Sequence, residues 1–84
     1  MNYDVFISER CTDFLLAKVK QDGTRLLYEV RKLGKDPFRE PDFSEGDSDG
    51  DVCGLIIDEY VLLYRVDHAL KRVLVVDITY ADQI

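Results

Sequence analysis

Residues 52–84 hold ten of the chain's fourteen Val and Ile residues. Side chains branched at Cβ are stiff at χ1 and pack well on a pleated surface, so this half of the chain reads as strands. Three runs stand out, at 52–57, 60–66 and 73–78. Asp58-Glu59 separates the first two and residues 67–72 separate the last two. Neither connection is long enough for a parallel crossover, so the three runs form an antiparallel meander. In the middle run Tyr60, Leu62, Tyr64 and Val66 share one face, and Val61, Leu63 and Arg65 share the other. Both faces are largely apolar, which makes this strand central. One face is expected to pack on helices and the other to form a concave surface covered by a partner.

The first half of the chain reads differently. Residues 3–7 are short, aromatic and β-branched, which predicts a first strand. Ser8 follows in the position of a helix N-cap, with Glu9 placed to favour the helix dipole. Cys11, Phe14, Leu15 and Val19 then fall at helical spacing. Asp22-Gly23-Thr24 breaks this helix and opens the next, in which Leu26, Leu27, Val30 and Leu33 form an apolar stripe closed by Gly34 as a C-cap. A tight connection between the two predicts an antiparallel helical hairpin. The expected fold class is therefore α+β, in the order β-α-α-β-β-β, as one domain over residues 1–84.

Residues 35–51 read as a loop, carrying Pro37, Pro41, Gly46 and Gly50 and no hydrophobic periodicity. Within it Glu40, Asp42, Glu45, Asp47, Asp49 and Asp51 place six negative charges in twelve residues with no Lys or Arg among them. These six account for the whole net charge of −6. The rest of the chain is balanced, so the acidity is a local insertion. It counts against binding to nucleic acid through phosphate neutralisation. A hydrophobic content of 46% is too high for a disordered chain. No apolar run approaches the length of a bilayer-spanning helix, and the N-terminal residues lack the pattern of a secretory signal. Two cysteines, Cys11 and Cys53, make neither a disulfide framework nor a metal-ligand spacing, and both are read as buried hydrophobes of a cytoplasmic protein.

The order of motifs resembles the RelE/ParE superfamily of type II toxin–antitoxin toxins. Tyr3-Asp4-Val5-Phe6-Ile7-Ser8 stands as the strand that runs into the first helix. Leu33-Gly34-Lys35-Asp36-Pro37-Phe38 is similar to the family's L-x-x-N-P-F ending of the second helix. Asp58-Glu59-Tyr60-Val61-Leu62-Leu63-Tyr64-Arg65-Val66-Asp67 is similar to its G-D-Y-R-V-I-Y-R-V-D hairpin, and Val73-Leu74-Val75-Val76-Asp77-Ile78 lies where its last strand does. The resemblance implies a toxin-like protein neutralised by a cognate antitoxin, with the ribosome and mRNA, or DNA gyrase, as the target of any activity. It implies no membrane and no cofactor. An active member would be a ribosome-dependent mRNA endoribonuclease.

Cleavage of that kind needs a base, a donor to the leaving oxygen and cations for the developing charge. Here the chain departs from the family. Val61 stands where many active members have arginine, Tyr80-Ala81 stands where they have H-R, and the usually basic loop is the acidic run. The remaining candidates are Arg65 and Tyr80 as catalytic residues, with Lys35 and Arg39 as substrate-binding cations. The bland readings are a paired sheet arginine, an edge aromatic and two solvated charges. The alternative function is a protein-interaction module that kept the fold and lost the chemistry and the toxicity. Two other patterns carry less. Glu45 to Val52 spaces oxygens like a calcium loop, but Ile56 occupies the twelfth position where a bidentate Glu belongs, so no metal site is expected. His68, the one histidine, is read as a polar loop residue without a role.

Overall fold

A computed structural model of the protein describes residues 2–17, 23–47 and 50–83. The elements run β1 (Asp4–Ile7), α1 (Glu9–Ala17), α2 (Gly23–Lys35), β2 (Phe43–Asp47), β3 (Gly50–Ile57), β4 (Tyr60–Asp67) and β5 (Arg72–Tyr80), closing with a short 3-10 turn at Ala81–Gln83. The fold is α+β. The five strands among the described residues form one sheet in the order β1-β5-β4-β3-β2. β1 pairs parallel with β5, and the other pairs are antiparallel. The three runs rich in Val and Ile are β3, β4 and β5, and β4 is central as its two apolar faces require.

The segment read as an acidic loop is in part a strand. Residues 43–47 pair with 50–54 as an edge hairpin, so the meander has four strands. Asp42 anchors its start: its backbone N–H donates to the Gly54 carbonyl at 2.9 Å, and its carboxylate accepts the Ile56 N–H at 2.7 Å. Backbone pairing, together with one carboxylate, holds this strand, and its polar side chains blunt an open sheet edge. The spacing considered for calcium spans these two strands, and its Ser48 and Asp49 lie outside the described residues.

The core sits between the helices and one face of the sheet. Leu26, Val30 and Leu33 from α2 and Cys11 from α1 meet Leu55, Ile57, Tyr60, Leu62, Tyr64, Val73, Val75 and Ile78, all buried. Ser8 caps α1 as expected, its Oγ accepting the Cys11 N–H at 3.2 Å. Val19 and Asp22, expected in the first helix and at the break after it, lie outside the described residues. Gly34 is inside α2 rather than capping it, and its carbonyl accepts the Tyr3 N–H at 2.7 Å.

One irregularity decides which side chains share a face. Between Leu63 and Tyr64 the register of β4 on β5 slips: Leu63 opposes Asp77 while Tyr64 opposes Val75. Val76 is the extra residue, a β-bulge. The core-facing residues of β5 are Val73 and Val75 before it and Ile78 and Tyr80 after it.

Candidate functional site

Two surfaces have the composition of a site. The first is the sheet face turned away from the helices. Cross-strand rows build it: Phe43, Gly54, Leu63 and Asp77 in one; Ile56, Val61 and Thr79 in the next; Arg65, Leu74 and Phe6 in the third. Ile56 and Phe6 are about half exposed, whereas Val61 is 3% exposed. Phe43, Glu45, Val52 and Leu63 border a hollow of about 210 Å³ on this face. The Phe43 ring occupies the space above Gly54 that a Cβ would take. Arg65 therefore shares a largely apolar face with Glu45 and Asp77. A guanidinium stays protonated, so it can bind an anion and cannot itself take up a proton.

The second surface is a cleft of about 450 Å³ between residues 37–41 and the helix-side face of β3 and β4. Its floor includes Asp51, Cys53, Tyr64 and Val66, and its wall includes Phe38, Arg39 and Glu40. His68 closes one end. Its ring stacks on Phe38 with centroids 4.8 Å apart, and its Nδ1 lies 3.0 Å from the Tyr3 hydroxyl. His68 thus joins the loop after β4 to the N-terminal segment and the α2–β2 connection, a role its sequence position did not signal. Burial pushes the Tyr64 phenol up to about 12, and burial followed by the charge of Asp51 pushes the Cys53 thiol above its ordinary value. Both groups are neutral at physiological pH. Cys53 is half-buried and free, and Cys11 is free and fully buried.

The four candidate residues do not converge. Arg65 lies on the open face. Tyr80 lies on the helix side, its ring 5.3 Å from that of Tyr60 and 5.9 Å from that of Phe14. The bulge at Val76 is the reason: counting by twos from Val73 puts residue 80 on the face of Arg65, and the extra residue turns it to the other. Lys35 ends α2 and is exposed. Arg39 lines the cleft, but its Nη1 is 3.5 Å from the Glu29 carboxylate, so an anion would have to compete for it. Among the described residues no group of His, Cys, Asp and Glu is placed to hold a metal ion. None of the described helices is long and apolar enough to cross a membrane.

No family model and no curated protein sequence matches the chain. Solved structures do. One chain of the crystal structure of the toxin–antitoxin complex RelBE2 from Mycobacterium tuberculosis superposes with a TM-score of 0.75, over 95% of this chain and 99% of that one, at 16% identity. An overlap that extends across nearly the whole of both chains is agreement in topology, and the protein has a RelE-like fold.

Proposed function

We propose that this chain is the toxin-like component of a type II toxin–antitoxin pair of the plasmid-stabilisation kind, acting in a bacterial cytoplasm and neutralised by an antitoxin protein. The observation that carries the reading is the end-to-end overlap with a chain of a toxin–antitoxin complex, in which neither chain has a large part without a counterpart. The open sheet face supports it. Partly exposed apolar side chains, Phe6, Leu74, Ile56 and Leu63, share this face with Arg65, and apolar area of this kind is a surface for protein association. An active toxin would use Arg65 to bind a phosphate of mRNA on the ribosome, or would contact DNA gyrase.

A second reading is favoured by a specific observation. Val61, at the position where many active RelE-like toxins have arginine, is buried, and Arg65 and Tyr80 are on opposite sides of the sheet. The chain is then a RelE-like protein-interaction module without ribonuclease chemistry.

Tightly controlled induction in a bacterial host, with wild type and Arg65→Ala side by side, separates the two. Growth arrest by the wild type, relieved by Arg65→Ala and by co-expression of the protein encoded next to it, is the outcome expected of a toxin. Unimpaired growth at high soluble expression, with a stoichiometric complex between the two proteins, is the outcome of the interaction module. If neither arrest nor complex is found, the toxin–antitoxin reading fails.

A further inference from the structure

The cleft between residues 37–41 and the β3–β4 floor lies on the helix side of the sheet, away from Arg65, and has its own chemistry. Glu40 and Asp51 line it, and neither has an ion-pair or hydrogen-bond partner among the described residues. Arg39, the guanidinium on the lining, is already within 3.5 Å of Glu29. The net charge of the lining is therefore negative. A second, independent observation points inward: Tyr64 is 2% exposed, lines the cleft, and has no hydrogen-bond partner for its side chain among the described residues. Its hydroxyl is not sealed off from solvent, so a group that enters the cleft can donate to it. Phe38, 64% exposed and stacked on His68, gives the wall a flat aromatic surface.

We propose that this cleft receives an arginine side chain presented by a protein partner. A guanidinium fits the lining in three ways. It is planar and stacks on an aromatic ring, it carries a positive charge opposite to those of the Glu40 and Asp51 carboxylates, and its N–H groups donate to carboxylates and to the Tyr64 oxygen together. A bare ammonium supplies the charge without the flat face. A volume of about 450 Å³ is also larger than a single ion requires and is in the range of sites for organic groups. An anion meets two unpaired carboxylates. The inference deepens the toxin–antitoxin reading and rests on it only for the identity of the protein that brings the arginine.

The test uses the full chain and a probe of known structure. Amide NMR spectra are titrated with N-acetyl-Gly-Arg-Gly-amide, with the same peptide carrying citrulline, and with spermidine. The expected result is saturable shifts at Cys53, Tyr64, Val66 and His68 with the arginine peptide, weakening as salt rises. Tyr64→Phe and Asp51→Asn should each weaken the binding by roughly three- to tenfold. Asp51 is exposed, so its variant tests the site even if the Tyr64 change disturbs the core. Citrulline binding as well as arginine, spermidine binding as well as the peptide, shifts scattered over all acidic residues, or no saturable shift at millimolar peptide would each overturn the proposal. Arginine binding at the cleft in a chain that forms no complex with its neighbour would leave the cleft assigned and overturn the toxin–antitoxin reading instead.

Discussion

The carbonyl oxygen of Tyr3 stands 2.8 Å from the point where a Cβ on Gly34 would lie, and the Tyr3 N–H donates to the Gly34 carbonyl at 2.7 Å. The N-terminal segment and α2 can come this close because residue 34 has no side chain. Val5 closes the same space, with its Cγ2 2.6 Å from the same point. Gly34→Ala sets two effects against each other. Alanine is the better helix former by about 1 kcal/mol. A methyl group forced against a backbone oxygen, which cannot swing aside as a side chain end can, costs typically about 1–3 kcal/mol. The second effect wins, and the variant should lose about 1–2 kcal/mol in denaturant unfolding. A variant as stable as the wild type would show that β1 moves off α2 freely.

Lys71 has φ of 53° in the turn between β4 and β5, and its carbonyl accepts the Asp4 N–H at 3.2 Å. A left-handed backbone costs an L-residue roughly 1–2 kcal/mol, a branched residue most, and costs glycine little. Lys71→Gly should therefore be neutral to slightly stabilising, and Lys71→Ile should be less stable than it by roughly 1–2 kcal/mol. Thermal unfolding of the pair checks this. Equal melting temperatures would mean that the turn relaxes to another conformation.

The contrast between Gly34 and the bulge at Val76 marks what the sequence reading could reach. Periodicity located β1, both helices and β3 to β5, because each buries one face and must repeat its apolar residues at 2.0 or 3.6. It missed β2, because an edge strand exposed to solvent has no buried face to signal: Ser44, Glu45 and Gly46 are all exposed. Gly34 was legible as a special position, but a C-cap and a close approach both call for glycine, and only the neighbouring strand distinguishes them. For the site, the face carrying Arg65 followed from alternation in β4. The side taken by Tyr80 did not follow, since one extra residue at Val76 changes the phase without changing the composition of β5. The cleft was not legible at all. Its lining comes from three parts of the chain that only the fold brings together.

Cys53 and Cys11 should differ sharply in reactivity despite both being free. Burial raises both thiols, with the Ser8 hydrogen bond partly opposing it at Cys11. Cys11 is fully buried, and Cys53 faces the cleft at its half-buried floor. Iodoacetamide at neutral pH should label Cys53 slowly and Cys11 only at the rate of unfolding. Peptide mass spectrometry over time distinguishes the two. Simultaneous labelling would mean that α1 opens without global unfolding.

Tyr64 makes stability depend on alkaline pH. Its phenol, at about 10 in an unfolded chain, is pushed up to about 12 in the folded one, chiefly because burial disfavours the phenolate. Below pH 10 the group is protonated in both states and the contribution is constant. Between about 10 and 12 the unfolded chain releases a proton that the folded chain retains, so the unfolded state is favoured as pH rises. The loss approaches roughly 1.4 kcal/mol per pH unit in the middle of this window, and it levels off once both states are ionised. Tyr64→Phe has no proton to lose there. Denaturant unfolding at pH 8 and at several points up to pH 11.5 should show the wild type falling relative to Tyr64→Phe above pH 10, with the difference between them constant below it. Parallel curves across the whole range would mean that the Tyr64 phenol ionises as readily in the folded cleft as in the unfolded chain.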